Sequence, residues 1–392
     1  MVNLLTPHTL GATLTLKNRV VMAPMTRSRT SDGDVANALM AKYYRQRASA
    51  GLIITEAIDI SPRSKGYART PGLYSEAQIQ GWRAVTDDVH RSDGCLFAQL
   101  WHVGRMAHRS QMPGGEAPWG VTDEPASESD VFAYDTEGKA SFVRASQPRQ
   151  MTTDEVAQVV SEFAQAALNA EAAGFDGVEI HGANGYLVDQ FMNSTLNTRT
   201  DQYGGQTPES RSRFLLEVVD ATAAVLGAAR VGVRLSPFGR FNSMPEDHKV
   251  EETLLYLCAQ LEKRNIGYVH LVYQLMPTGN MNTTEFNQLH LSDALVHKIR
   301  SVYKGSIIWC GGFDKASAKA ALDTWDVDLI AFGRPFIGNP DLVERLKNNW
   351  PIIDADSSSY YTRNGEVGYT DFPNHESCVG VDTHYSRIKN PV

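Results

Sequence analysis

The stretch Asp176-Gly-Val-Glu-Ile-His-Gly-Ala-Asn-Gly-Tyr-Leu187 decides the fold. Its first part, Gly177–Ile180, is a short β-branched run that reads as a strand. The residues before it read as a helix. Thr152-Thr-Asp-Glu155 is a capping box, and Gly174 is the residue type that ends helices. Seven more short apolar runs stand at Arg19–Met22, Leu52–Ile58, Leu96–Trp101, Arg230–Leu235, Tyr268–Val272, Ser306–Cys310 and Leu329–Phe332. They are continuous rather than alternating, as in parallel strands covered on both faces. Ser75-Glu-Ala-Gln78 opens a helix toward Ser92, and Asp314 opens an Ala-rich one. Asn339-Pro340 sets an N-cap before a proline at the first helical position. Eight strand–helix units in series predict an α/β fold, a (β/α)8 TIM barrel.

The competing fold is a doubly wound open sheet. It would show GxGxxG after its first strand, and that motif is absent, as are GxxxxGK[ST] and GxSxG. Of the 392 residues, a plain barrel needs about 250, which leaves roughly 140 to place. Residues 1–18 are expected as an N-terminal hairpin cap under the barrel. Residues 103–150 form a long excursion after the third strand, with a small hairpin in the Pro-, Gly- and Ser-rich part from Gln111. A second excursion covers 274–290, and 351–392 is a surface tail. On this reading 1–392 is one domain.

Lys and Arg total 37 against 45 Asp and Glu, a formal charge of −8. The basic footprint that neutralises phosphates is missing, so nucleic acid is not the expected partner. No apolar run approaches the ~18 residues of a membrane span, and the N-terminus lacks the basic and apolar regions of a secretory signal. Cys95, Cys258, Cys310 and Cys378 are far apart and form no CxxC, so no metal cluster is spaced here. Such thiols suit a reducing compartment, and a cytoplasmic location is expected.

In a barrel the site lies at the C-terminal strand ends. Those ends carry Ala23-Pro24-Met25-Thr26, Glu56-Ala57, Gln99 and Trp101, His181 to Tyr186, Arg234, Gly311-Gly312, and Phe332-Gly333-Arg334. Glycines after the seventh and eighth strands suit a phosphate cradle, and they suit tight turns equally. His181 and Asn184 are three apart and share one face of a turn, where two donors can polarise a carbonyl or nitro oxygen. Tyr186 adds a phenol able to deliver a proton. The same residues also fit a satisfied structural histidine, a turn asparagine and a packed tyrosine. His102 and His108 are further candidates, though their spacing matches no zinc motif. A barrel lyase or a non-catalytic phosphate-binding barrel is a third class. Against a lyase, the strand ends carry no lysine, and Glu56 has no evident partner.

Together these stretches resemble the old yellow enzyme family of FMN-dependent ene reductases. The likeness runs from Ala23-Pro-Met-Thr-Arg27 through Gln99-Leu-Trp-His-Val-Gly-Arg105, Asp176–Leu187, Arg199–Gly205, Val233–Pro237 and Gly333–Leu342 to Gly368-Tyr-Thr-Asp-Phe-Pro373. The resemblance implies that Thr26 bonds the flavin O4. Ala23, Pro24, Met25 and Ala57 would line the ring, Gln99 would hold its pyrimidine edge, and Arg234 would sit by N1 and O2. Gly311, Gly312, Phe332, Gly333 and Arg334 would hold the phosphate end. His181 and Asn184 would clamp the substrate oxygen, Tyr186 would protonate the alpha carbon, and Trp101 and Tyr361 would shape the substrate pocket. NADPH would be the transient hydride donor to FMN, and activated alkenes the substrates. The same clamp would serve reductive cleavage of nitrate esters, nitroaromatic reduction or a flavin-dependent isomerisation. The protein would be a monomer or a homo-oligomer.

This chain departs from the family pattern at several places. Ala57 stands where many members have glycine, and Thr26 where one branch has cysteine. Gly205–Arg211 is one residue longer than the usual stretch, with Ser210 replacing a common asparagine. The link from Tyr361 to Gly368 is also one residue longer than in the family, which puts Tyr360 forward as the alternative pocket tyrosine.

Overall fold

The structure is a computed structural model and describes residues 3–11, 13–135, 137–273, 293–324, 326–361, 365–375 and 388–389. Its strands are β1 (Val20–Met22), β2 (Leu52–Asp59), β3 (Leu96–Trp101), β4 (Gly177–Gly182), β5 (Val231–Leu235), β6 (Tyr268–Val272), β7 (Ser306–Cys310) and β8 (Leu329–Phe332). Neighbours in sequence pair in parallel, and β8 pairs with β1 to close the barrel. The expected TIM barrel is therefore present, with strand ends close to those read from the sequence.

Helices cover the outer face: α1 (Ala38–Arg45), α2 (Glu76–His90), α3 (Thr153–Ala172), α4 (Leu187–Met192), α5 (Pro208–Leu226), α6 (Val250–Arg264), α7 (Asp293–Val302) and α8 (Lys315–Thr324). Two short ones follow β8, α9 (Arg334–Gly338) and α10 (Leu342–Asn348). Both expected capping boxes form, Ser75 with Gln78 and Thr152 with Glu155. A third one opens α5, where Thr207 and Ser210 bond reciprocally and Pro208 takes the first position. Ser210 thus has a structural use of its own. Asp314 caps α8 by accepting from the Ser317 N–H at 2.8 Å.

Asn339 corrects the sequence reading. It does not cap a helix, because α10 starts only after Asp341. Its fully buried amide instead serves the carbonyls of Pro335 and Ile353 and the Ile353 N–H. Those buried backbone groups need partners, and that need overrides the local cap signal.

The lower barrel is filled by rings set against glycines. A Cβ on Gly177 would lie 2.4 Å from the Phe97 ring, and one on Gly232 would lie 2.1 Å from the Tyr268 ring. Beneath them sits the expected hairpin, His8–Leu10 against Leu14–Leu16. Leu10 and Leu16 are buried with Val21, Leu52, Phe97, Tyr268 and Ile308, so the hairpin plugs the bottom.

The excursion after β3 carries the expected hairpin, Asp130–Tyr134 against Ala140–Arg144. The tail is pinned to the loop after β1. Arg27 is fully buried and donates to the carbonyls of Tyr360 and Gly368. The second expected excursion, 274–290, lies wholly outside the described residues. Among the described residues no helix is long and apolar enough to cross a membrane.

Candidate active site

The upper strand ends open into a cavity of about 1640 Å³. Every residue of the expected site, from Ala23 to Tyr361, lines it. His102 and His108 do not. His102 is buried against Trp119 and accepts from the Gly104 N–H, while His108 caps a short turn. His102 is neutral, since burial and Arg63 bring its pKa down to about 3.

One wall carries His181 and Asn184, the pair expected to clamp the substrate oxygen. The Ala183 N–H donates to His181 Nδ1 at 3.3 Å. A backbone N–H can only donate, so Nδ1 accepts and Nε2 carries the ring hydrogen. Burial, with the charges of Arg234 and His270, holds His181 well below its usual pKa. The ring is thus a neutral donor. Asn184 reaches the same cavity through a turn, since α4 begins only at Leu187. Its backbone is left-handed at φ 58°, a region asparagine tolerates. The turn is held by the Asn184 N–H on Ser236 Oγ at 2.7 Å and by Asn242 Nδ2 on the Asn184 carbonyl at 2.8 Å.

Tyr186 stands beside the clamp, its ring 5.1 Å from that of His181. Its hydroxyl donates to the Tyr67 hydroxyl at 3.2 Å. Burial pushes the phenol up to about 12. It therefore keeps its proton at neutral pH. Trp101 packs edge-on to Tyr186 at 4.8 Å and stacks on Tyr67 at 5.8 Å. The Trp101 Nε1–H is fixed by Asp59 Oδ1 at 2.6 Å. Tyr361 is close enough to Tyr67 and Tyr186 to influence both phenols electrostatically. Tyr360 also lines the cavity but turns its hydroxyl to the Ala355 carbonyl.

Opposite lies the loop after β1. Glu56 Oε2 accepts from the Arg27 and Ser28 N–H groups, each at 3.1 Å, and this fixes the path from Ala23 to Ser28. The carboxylate without an evident partner in the sequence is thus a loop anchor. A register shift between Ile54 and Ala57 brings Ala57 to the cavity.

Sequence reasoning missed Tyr67, Asn242 and Asp59. Tyr67 and Asn242 lie on connecting loops, far in sequence from Tyr186. Only the buried aspartate on a strand, Asp59, left a signal that could have been read.

A model of the NADH:flavin oxidoreductase / NADH oxidase family matches residues 3–352. The chain belongs to this family, the old yellow enzymes. It is 42% identical to 12-oxophytodienoate reductase 1 of Oryza sativa subsp. japonica over 372 residues, covering 94% of this chain and 92% of that protein. Morphinone reductase, solved in complex with tetrahydroNAD, superposes with a TM-score of 0.89 at 42% identity, over 99% and 100% of the two chains. The old yellow enzyme homologue from Zymomonas mobilis gives 0.86 at 36% identity, over 95% of this chain and 99% of that one.

Old yellow enzymes are FMN-dependent oxidoreductases served by a nicotinamide coenzyme. The residues of this old yellow enzyme fit the flavin. Arg234 is buried, lines the cavity, and has an Nε with no hydrogen-bond partner. Arg334 lines the cavity as well.

Proposed function

We propose that this old yellow enzyme is an ene reductase using NADPH as hydride donor. The Ala23–Thr26 loop, Ala57, Gln99 and Arg234 would hold the flavin ring. Gly311, Gly312, Phe332, Gly333 and Arg334 would hold its phosphate end. When bound, FMN would supply the hydride chemistry between NADPH and the beta carbon of an enone, enal, maleimide or nitroalkene.

His181 donates from Nε2, and Asn184 donates beside it, so a carbonyl or nitro oxygen bound there is polarised. Tyr186 holds a proton on the same wall and delivers it to the alpha carbon. Trp101 and Tyr361 bound the substrate space. The observation that carries this reading is the pairing of a neutral His181 donor with a protonated Tyr186 around one cavity.

The test is a visible spectrum of the purified protein with FMN, then anaerobic NADPH, then cyclohexenone. We expect bleaching by NADPH and recovery of colour with the enone. A flavin that bleaches but is not reoxidised by enone removes the ene-reductase reading. Parallel rates with NADH and NADPH decide the donor.

A further inference from the structure

Below the clamp, inward side chains of five strands make one buried network. Glu179 on β4 and His270 on β6 are both fully buried. His270 Nδ1 lies 2.8 Å from Glu179 Oε2. Gln99 Nε2 on β3 donates to Glu179 Oε1 at 2.7 Å. Arg234, on β5, is in register with His181 on one side and His270 on the other. Tyr268 of β6 adds a hydroxyl facing Glu179, and Cys310 of β7 meets His270. Neither Glu179 nor His270 is used by the clamp or the proton donor.

Two consequences follow from elementary chemistry. A carboxylate only accepts, so the Gln99 amide must turn its nitrogen to Glu179 and its oxygen away. Gln99 lines the cavity, so it offers a ligand an acceptor rather than a donor. Moreover, a fully buried carboxylate needs a counter-charge. His270 is the basic side chain in contact, at 2.8 Å, and Arg234 makes no ion pair with Glu179 among the described residues. Burial lowers the His270 pKa, but the Glu179 charge and the hydrogen bonds outweigh it and raise it overall.

We propose that Glu179 and His270 are a positioning and charge-balancing pair for the flavin ring. Glu179 turns the Gln99 oxygen toward a ring N–H. His270 neutralises Glu179, which leaves the Arg234 charge for the electron-rich edge of the ring. This rests on the FMN reading given above.

The test measures FMN dissociation constant and flavin midpoint potential in Glu179→Gln, His270→Gln and the double variant. Glu179→Gln frees the Gln99 amide to rotate, and His270, left with burial and the Arg234 charge but no carboxylate, gives up its proton, so no net charge is added. It should weaken FMN binding about tenfold and leave the potential near wild type. His270→Gln strands the carboxylate. It should lower the potential by about tenfold in the two-electron equilibrium, ~30 mV. The double variant removes that charge again, so its potential should return while FMN binding stays weak. A purely structural role would weaken binding in all three without this rescue.

Wild-type affinity and potential in every variant overturn the proposal. Should a single variant not fold, the double variant decides the affinity half. In that case ¹⁵N NMR of histidine-labelled wild-type holoenzyme decides the charge half, where a neutral His270 overturns it. A wild-type protein that takes up no FMN overturns the FMN reading itself, which is a distinguishable outcome.

Discussion

Tyr186 keeps its proton because a buried phenolate would be poorly solvated, and its pKa stands near 12. Tyr186→Phe removes that proton and little volume. Turnover of an enone should fall about 10²- to 10⁴-fold, while flavin reduction by NADPH stays unchanged. Stopped-flow measurement of the two half-reactions checks this, and equal loss in both would refute the role.

Asp59 shows the opposite consequence of burial. Burial outweighs the Lys65 charge and the Thr70 and Trp101 hydrogen bonds and raises its pKa from 3.8 to about 7. The folded state then holds a proton that the unfolded chain has released. This contribution is intact below the unfolded value and is lost as pH rises through about 7. Asp59→Asn keeps an oxygen for Trp101, and its amide can donate to Thr70, whose hydroxyl already reaches the Tyr67 carbonyl. The variant should therefore gain on wild type between about pH 4 and pH 7, by at most about 1.4 kcal/mol per pH unit. Urea unfolding across that range tests it, and a constant difference would count against a raised pKa.

At the scale of elements, local signals succeeded where the bond partners are neighbours in sequence. The capping boxes at Ser75 and Thr152 need only residues three apart, so they could be read directly. Asn339 misled because its partners at Pro335 and Ile353 compete across a turn. The loop after β1 is a further case. Its shape depends on Glu56, about thirty residues on, and on Arg27 gripping the tail more than three hundred residues on. Glu56→Ala would leave two buried N–H groups without acceptors, at a cost of about 2–4 kcal/mol. Urea unfolding should show that loss, and FMN titration should show weaker binding. Glu56→Gln keeps an acceptor and should lose much less. Wild-type stability in the alanine variant would mean the loop is held by other contacts.

At the scale of the molecule, stability and chemistry sit at opposite ends of one barrel. Leu16 is 1% exposed in the plug at the bottom, away from the cavity. Leu16→Ala should cost about 2–5 kcal/mol in denaturant unfolding and leave the spectrum of bound FMN unaltered. A shifted flavin spectrum would show that the plug reaches the site.

The chain's own chemistry was enough for the barrel, because continuous β-branched runs between capped helices have few other ways to bury both faces. It was also enough for the strand-end residues, since a parallel barrel brings all such ends to one mouth. Folding alone decided the rest. It chose which nitrogen of His181 carries the hydrogen, what holds the Tyr186 proton, and which way the Gln99 amide turns. Each depends on a hydrogen bond or burial supplied by another part of the chain, and those properties exist only once the strands stand side by side.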